Sequence, residues 1–131
     1  KLTINGKENI KKQLIQINVM LIMFFTSGID KVLNFNNTVE GFIKKVPIAT
    51  RFMAIIAILS AIVIEIFAPI LINYGHFYNK HLAALGLGSL IILTILATII
   101  YHFPPIGKHY YPFMSNLTTF GGLLLALTFY I

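Results

Sequence analysis

Apolar residues fall along this chain in four long stretches, Leu14–Ile29, Phe52–Ile72, Leu82–Phe103 and Phe113–Ile131, with polar residues collected between them. The last three are each close to the ~20 residues a helix needs to cross the hydrocarbon of a bilayer. The first is weaker, because Gln16 and Asn18 interrupt it. Glu65 is the only residue among them with a carboxylate, ammonium or guanidinium group. This pattern predicts an all-α protein: an antiparallel four-helix transmembrane bundle with spans at about 14–31, 52–72, 82–103 and 113–131.

The segments between the spans carry their own signals. Residues 1–13 form a basic N-terminal head ahead of a four-span membrane domain, 14–131. In the longest connection, 32–50, Val39, Phe42, Ile43 and Val46 recur at helical spacing beside Glu40, Lys44 and Lys45. That spacing predicts a short amphipathic helix over 38–46, lying in the interface and ended by Pro47; a solvated loop is the plainer alternative. Pro69 is expected to kink or end the second span, and Asn73–His81 reads as a turn. Pro104-Pro105 stops the third span, and Pro112 suits the first turn of the fourth. Lysines ahead of a 16-residue apolar stretch resemble a signal peptide. No A-x-A-like cleavage site follows, so the stretch reads as a span.

Composition supports the membrane reading. The 131 residues are 57% hydrophobic and only 11% charged, against about 25% charged in ordinary soluble domains. All six tyrosines, Tyr74, Tyr78, Tyr101, Tyr110, Tyr111 and Tyr130, fall near predicted helix ends, where an amphipathic ring meets the headgroups. The net charge of +6 comes from lysines that flank apolar helices. They suit anionic headgroups rather than nucleic acid. Five basic residues fall on each side of the predicted bundle (Lys1, Lys7, Lys11, Lys12 and Lys80 against Lys31, Lys44, Lys45, Arg51 and Lys108). The positive-inside rule therefore assigns no orientation. With no cysteine, thiolate chemistry is excluded.

Helix association in lipid relies on small residues. The pairs Ala57/Ala61, Ala84/Gly88 and Gly122/Ala126 nominate the inward faces of spans two, three and four. Glu65 continues the first of these at the same four-residue step, and so turns inward. It suits either a structural hydrogen bond or proton handling and ligand binding. Thr94, Thr98 and His102 line one face of the third span. The threonine hydroxyls can be satisfied within their own helix, and His102 can snorkel to the interface. Gln16, Ser27 and Lys31 share a face of the first span, and Asn116 opens the fourth as a possible bridge between helices. Glu65 lies 14 residues beyond Arg51, about 21 Å along a helix axis. That places it nearer Asn18 and Gln16 than Lys31, His102 and Asn116, and predicts polar groups at two depths. Neither a metal site nor a haem is suggested: the four histidines lie at span ends or in turns, and His102 with His109 lack further ligands.

Several short motifs occur in order. They are Phe24-Phe25-Thr26-Ser27-Gly28-Ile29-Asp30-Lys31-Val32-Leu33, the segment Val46-Pro47, Glu65 within the second span, Ala97-Thr98-Ile99-Ile100-Tyr101-His102-Phe103, and Asn116 followed by Gly121-Gly122-Leu123-Leu124. Together they resemble the DoxX-like membrane proteins over about residues 17–131. The chain departs from that pattern at Ala68-Pro69, where the family usually has glycines, and at Ser115, where a lysine often stands. The resemblance implies a four-helix membrane fold and carries Lys31, Glu65, His102 and Asn116 over as the polar residues of interest. The family takes its name from a membrane subunit of an archaeal quinone-linked sulfur oxidation system, and other members are associated with oxidative stress. It thus implies quinone as a candidate cofactor.

Two functions compete. In the first, a redox-linked protein binds a quinone- or lipid-like ligand in a polar bundle interior, with Glu65, His102, Lys31, Asn116 and Thr98 as ligand- or proton-handling candidates. In the second, the chain is a non-catalytic membrane subunit of a larger assembly, such as a respiratory complex or the internal membrane of a virion. Both place the protein in a lipid bilayer, with other membrane subunits as partners in the second.

Overall fold

The computed structural model describes the backbone of residues 4–103 and 105–131, and side chains from Lys12 onward apart from Pro104. The described residues are helical, in the order α1 (Ile4–Leu33), α2 (Phe35–Lys45), α3 (Arg51–Tyr78), α4 (Lys80–His102) and α5 (Tyr110–Leu127), with a 3-10 turn at Gly107–His109 before α5. Three helices are long and apolar enough to cross a membrane: Lys12–Leu33 within α1, all of α3 and all of α4. The fourth predicted stretch, 113–131, is largely covered by the 18-residue α5, which is not among those three. The chain is a multi-pass membrane protein.

The pattern of exposure follows from the solvent. Ile56, Leu59, Val63, Phe67 and Ile70 form one stripe down α3 and are all about half exposed. In water such a stripe would be polar; against lipid it is the stable arrangement. The opposite face of α3 is buried, because α3 is the central helix, packed against α1, α2 and α4. One core joins Ile17, Leu21 and Phe24 of α1 to Ile72 of α3, Leu87 and Leu90 of α4, and Leu123 of α5. A second, at the other end of α3, joins Val39 of α2 to Ala54, Ile58 and Ile62.

α2 is the amphipathic helix expected over 38–46, and begins three residues earlier. Val39 is buried, with Phe42 and Ile43 packed beside it, while Glu40, Lys44 and Lys45 are exposed. Thr50 caps α3 by accepting from the Met53 N–H. At the start of the chain α1 already runs from Ile4, so the described part of the 1–13 stretch is helical and continuous with the first span.

Two expectations are corrected. Pro69 does not end the second span: α3 continues through it to Tyr78, and Asn73 lies in the helix rather than in a turn. Pro69 leaves one carbonyl without its usual partner, but leaving the helix in an apolar setting would strand several backbone groups at once. The small-residue seam also differs. Gly88 faces open space, whereas a Cβ on Gly75 would stand 2.3 Å from the Ala83 backbone nitrogen. A Cβ on Gly86 would stand 2.7 Å from Ile72 Cγ1. α3 and α4 therefore meet through Gly75, Ala83 and Gly86, where they approach each other near their short connection. Gly122 and Ala126 do face inward, with Met20 Sδ 3.1 Å from where a Gly122 Cβ would be.

Candidate functional site

The two cores do not meet tightly. Between them lies a cavity of about 690 Å³, bordered by Phe24 of the first core and Ile58 of the second. Its size follows from its walls: Ala57, Ala61 and Ala97 are too small to fill the gap between α3 and α4. The small residues at positions 57 and 61 thus open a space rather than forming a packed seam.

Glu65 projects into this space from α3. Only 4% of the residue is exposed. Lys31 Nζ lies 2.7 Å from Glu65 Oε1 and donates to Ser27 Oγ, also at 2.7 Å. The contact is an ion pair between the Lys31 ammonium and a buried carboxylate. Gly28 makes the pairing possible. A Cβ there would stand 2.8 Å from Ile66 Cγ1 and 3.1 Å from Glu65 Cβ, so glycine lets α1 close onto α3 one turn before Lys31.

This overturns the separation by depth. That estimate took the second span to start at the membrane edge near Arg51. α3 has 28 residues, about 42 Å of helix, well beyond the ~30 Å of hydrocarbon. Glu65 is therefore near the middle of the helix, and the flexible Lys31 stem reaches it from the end of α1. Asn18 is not its partner. Asn18 and Asn73 pair with each other, each amide donating to the other's carbonyl oxygen at 2.9 and 2.8 Å. Gln16 is exposed and takes no part in the face it was expected to share with Ser27 and Lys31.

Lys31, Glu65, His102 and Asn116 all line the one cavity. Thr98 does not. Its hydroxyl donates to the Thr94 carbonyl at 2.6 Å, and it borders a smaller groove of about 260 Å³ between α4 and α5. Thr94 and Asn116 border both spaces. His102 sits at the end of α4, its ring centroid 6.1 Å from that of His109. Its Nδ1 is buried and without a hydrogen-bond partner. Among the described residues no cluster of three or more His, Cys, Asp or Glu could hold a metal ion.

The DoxX family model matches residues 18–102, which run from Asn18 in α1 to His102 at the end of α4. The chain belongs to the DoxX family. Three of this DoxX protein's four cavity-lining candidates, Lys31, Glu65 and His102, fall within the matched residues, and Asn116 lies beyond them. No match was found among curated proteins or solved structures.

Other site residues had little signal in the sequence. Asp30, Thr38 and Tyr101 line the cavity, but each is an ordinary interfacial residue when read alone. Tyr101 meets Phe42 edge to face at 6.5 Å, which braces α2 against the end of α4. Asn73 did have a signal: positions 57, 61, 65, 69 and 73 form one four-residue series. Ending the second span at Ile72 and reading Asn73–His81 as a turn hid its last member. At the far end, His76 Nδ1 and Tyr130 Oη lie 2.7 Å apart and join α3 to the end of the chain.

Proposed function

We propose that this DoxX protein crosses the membrane four times as an antiparallel bundle and binds an amphipathic ligand, quinone- or lipid-like, in the cavity beside Glu65. α5 spans about 27 Å at helical rise, and the turn that continues to Tyr130 extends its reach. The observation that carries the ligand reading is the cavity itself. It joins a buried ion pair and an unpartnered histidine nitrogen to mainly apolar walls, within the size range of small-molecule sites. A tightly packed structural bundle would have no use for such a space, which forfeits packing on every wall.

The residues suit a quinone head group, because the Glu65 carboxylate has lone pairs beyond its contact with Lys31 and His102 Nδ1 has no hydrogen-bond partner. A bound quinone would supply two-electron redox chemistry. The protein's part is to hold and move protons: the Lys31 ammonium fixes the Glu65 carboxylate, which can accept a proton from the ligand, and His102 offers a second exchange point at the cavity's end. The test is photolabelling with an azido-quinone in liposomes, mapped by mass spectrometry. Label should fall in α3 and α4 peptides that contain Ile58–Glu65 and Leu93–His102, compete with excess unlabelled quinone, and decrease in Glu65→Gln. Label confined to the lipid-facing stripe, indifferent to competitor, would overturn the proposal.

A further inference from the structure

The charge around the mouth of the cavity is not balanced. α2 lies over this end, with Thr38, Gly41 and Phe42 lining the space. Lys45 is one turn beyond Gly41, so it extends from the same side of α2. Lys45 and His109 both lie within electrostatic reach of the His102 ring. Two carboxylates of this end are paired with cations, Glu65 with Lys31 and Glu40 with Arg51, while Asp30, which also lines the cavity, accepts only from the neutral Asn34 amide. Among the described residues of this end Lys44, Lys45 and Lys108 have no ion-pair partner, and together they outweigh the single charge of Asp30. Immediately inside this basic rim the walls turn apolar, through Ile92, Leu96 and Ile100 of α4.

We propose that the cavity takes an acidic phospholipid, its anionic headgroup held by Lys45 beside His102 and His109 and an acyl chain laid against the apolar wall of α4. This rests on reading the cavity as an amphiphile site and adds the charge of the headgroup. Charge complementarity is the argument: a basic rim over an apolar interior excludes a free inorganic anion, which gains nothing from the walls, and favours an anionic amphiphile over a zwitterionic one. Lys45 is exposed, so replacing it leaves the bundle's packing untouched.

The experiment uses the full chain in neutral phosphatidylcholine nanodiscs. Three trace photoreactive probes are compared: phosphatidylglycerol, phosphatidylcholine and an uncharged quinone analogue. Cavity label is mapped on the α3 and α4 peptides. Phosphatidylglycerol should label the cavity about fivefold more than phosphatidylcholine, the selectivity expected of a single lysine. Salt should weaken that preference, Lys45→Glu should abolish it, and Lys45→Arg and the far-end control Lys80→Glu should keep it. Equal labelling by the two phospholipids would overturn the acidic-headgroup assignment, as would a preference that survives Lys45→Glu. If the quinone analogue still labels the cavity in that case, the amphiphile site stands and only the headgroup is wrong. If no probe labels it, both readings fail together.

Discussion

Replacing Lys31 by Met tests the ion pair most directly. The variant keeps the length of the side chain and removes its charge. Glu65 is then a carboxylate with 4% exposure and no cation beside it. Removing one partner of a buried pair costs about 3–5 kcal/mol. The double variant Lys31→Met/Glu65→Gln removes both charges and should lose far less, giving a coupling energy of roughly 2 kcal/mol or more in a double-mutant cycle. The assay is reversible unfolding of purified protein in mild detergent, followed by circular dichroism. Additive single-variant losses would refute the reasoning and reduce the 2.7 Å contact to proximity.

Three further outcomes follow from the packing and the surface. Gly75→Ala should destabilise by about 1–3 kcal/mol, because its Cβ would meet the Ala83 backbone and not a movable side chain; Gly88→Ala, with open space, should be neutral or gain up to about 1 kcal/mol of helix propensity in the same melt. Asn18→Leu should cost about 0.6–1.7 kcal/mol by leaving the Asn73 amide without its cross-helix partner, and adding Asn73→Leu should recover much of that loss. Glu40 is held below the ordinary glutamate range by its hydrogen bond from Arg51 and then by that residue's charge. Its tie from α2 to α3 is therefore present at neutral pH and lost as pH falls through that lowered range, read as faster amide exchange in α2; Arg51→Ala should show the faster exchange already at pH 7 with an unchanged global melting temperature.

Much of this DoxX protein is legible in its sequence, because a bilayer is a demanding solvent. A chain that buries uninterrupted apolar runs in hydrocarbon must close its backbone hydrogen bonds locally, so helices follow from run length alone. The amphipathic α2 follows from Val39, Phe42 and Ile43 set beside Glu40, Lys44 and Lys45. An inward Glu65 follows from the cost of a carboxyl group facing lipid. Tertiary structure decided which groups meet. Pairing between helices depends on register, and register here is set in part by contacts that leave no periodic trace: Gly28 against Ile66 and Gly75 against Ala83. Depth counted from Arg51 went wrong because α3 is longer than the hydrocarbon is thick, so Lys31 and not Asn18 reaches Glu65. The cavity, too, belongs to the fold alone. Ala57 and Ala61 read equally well as a close-packed seam or as the wall of a void, and only the distance between α3 and α4 at that level separates the two.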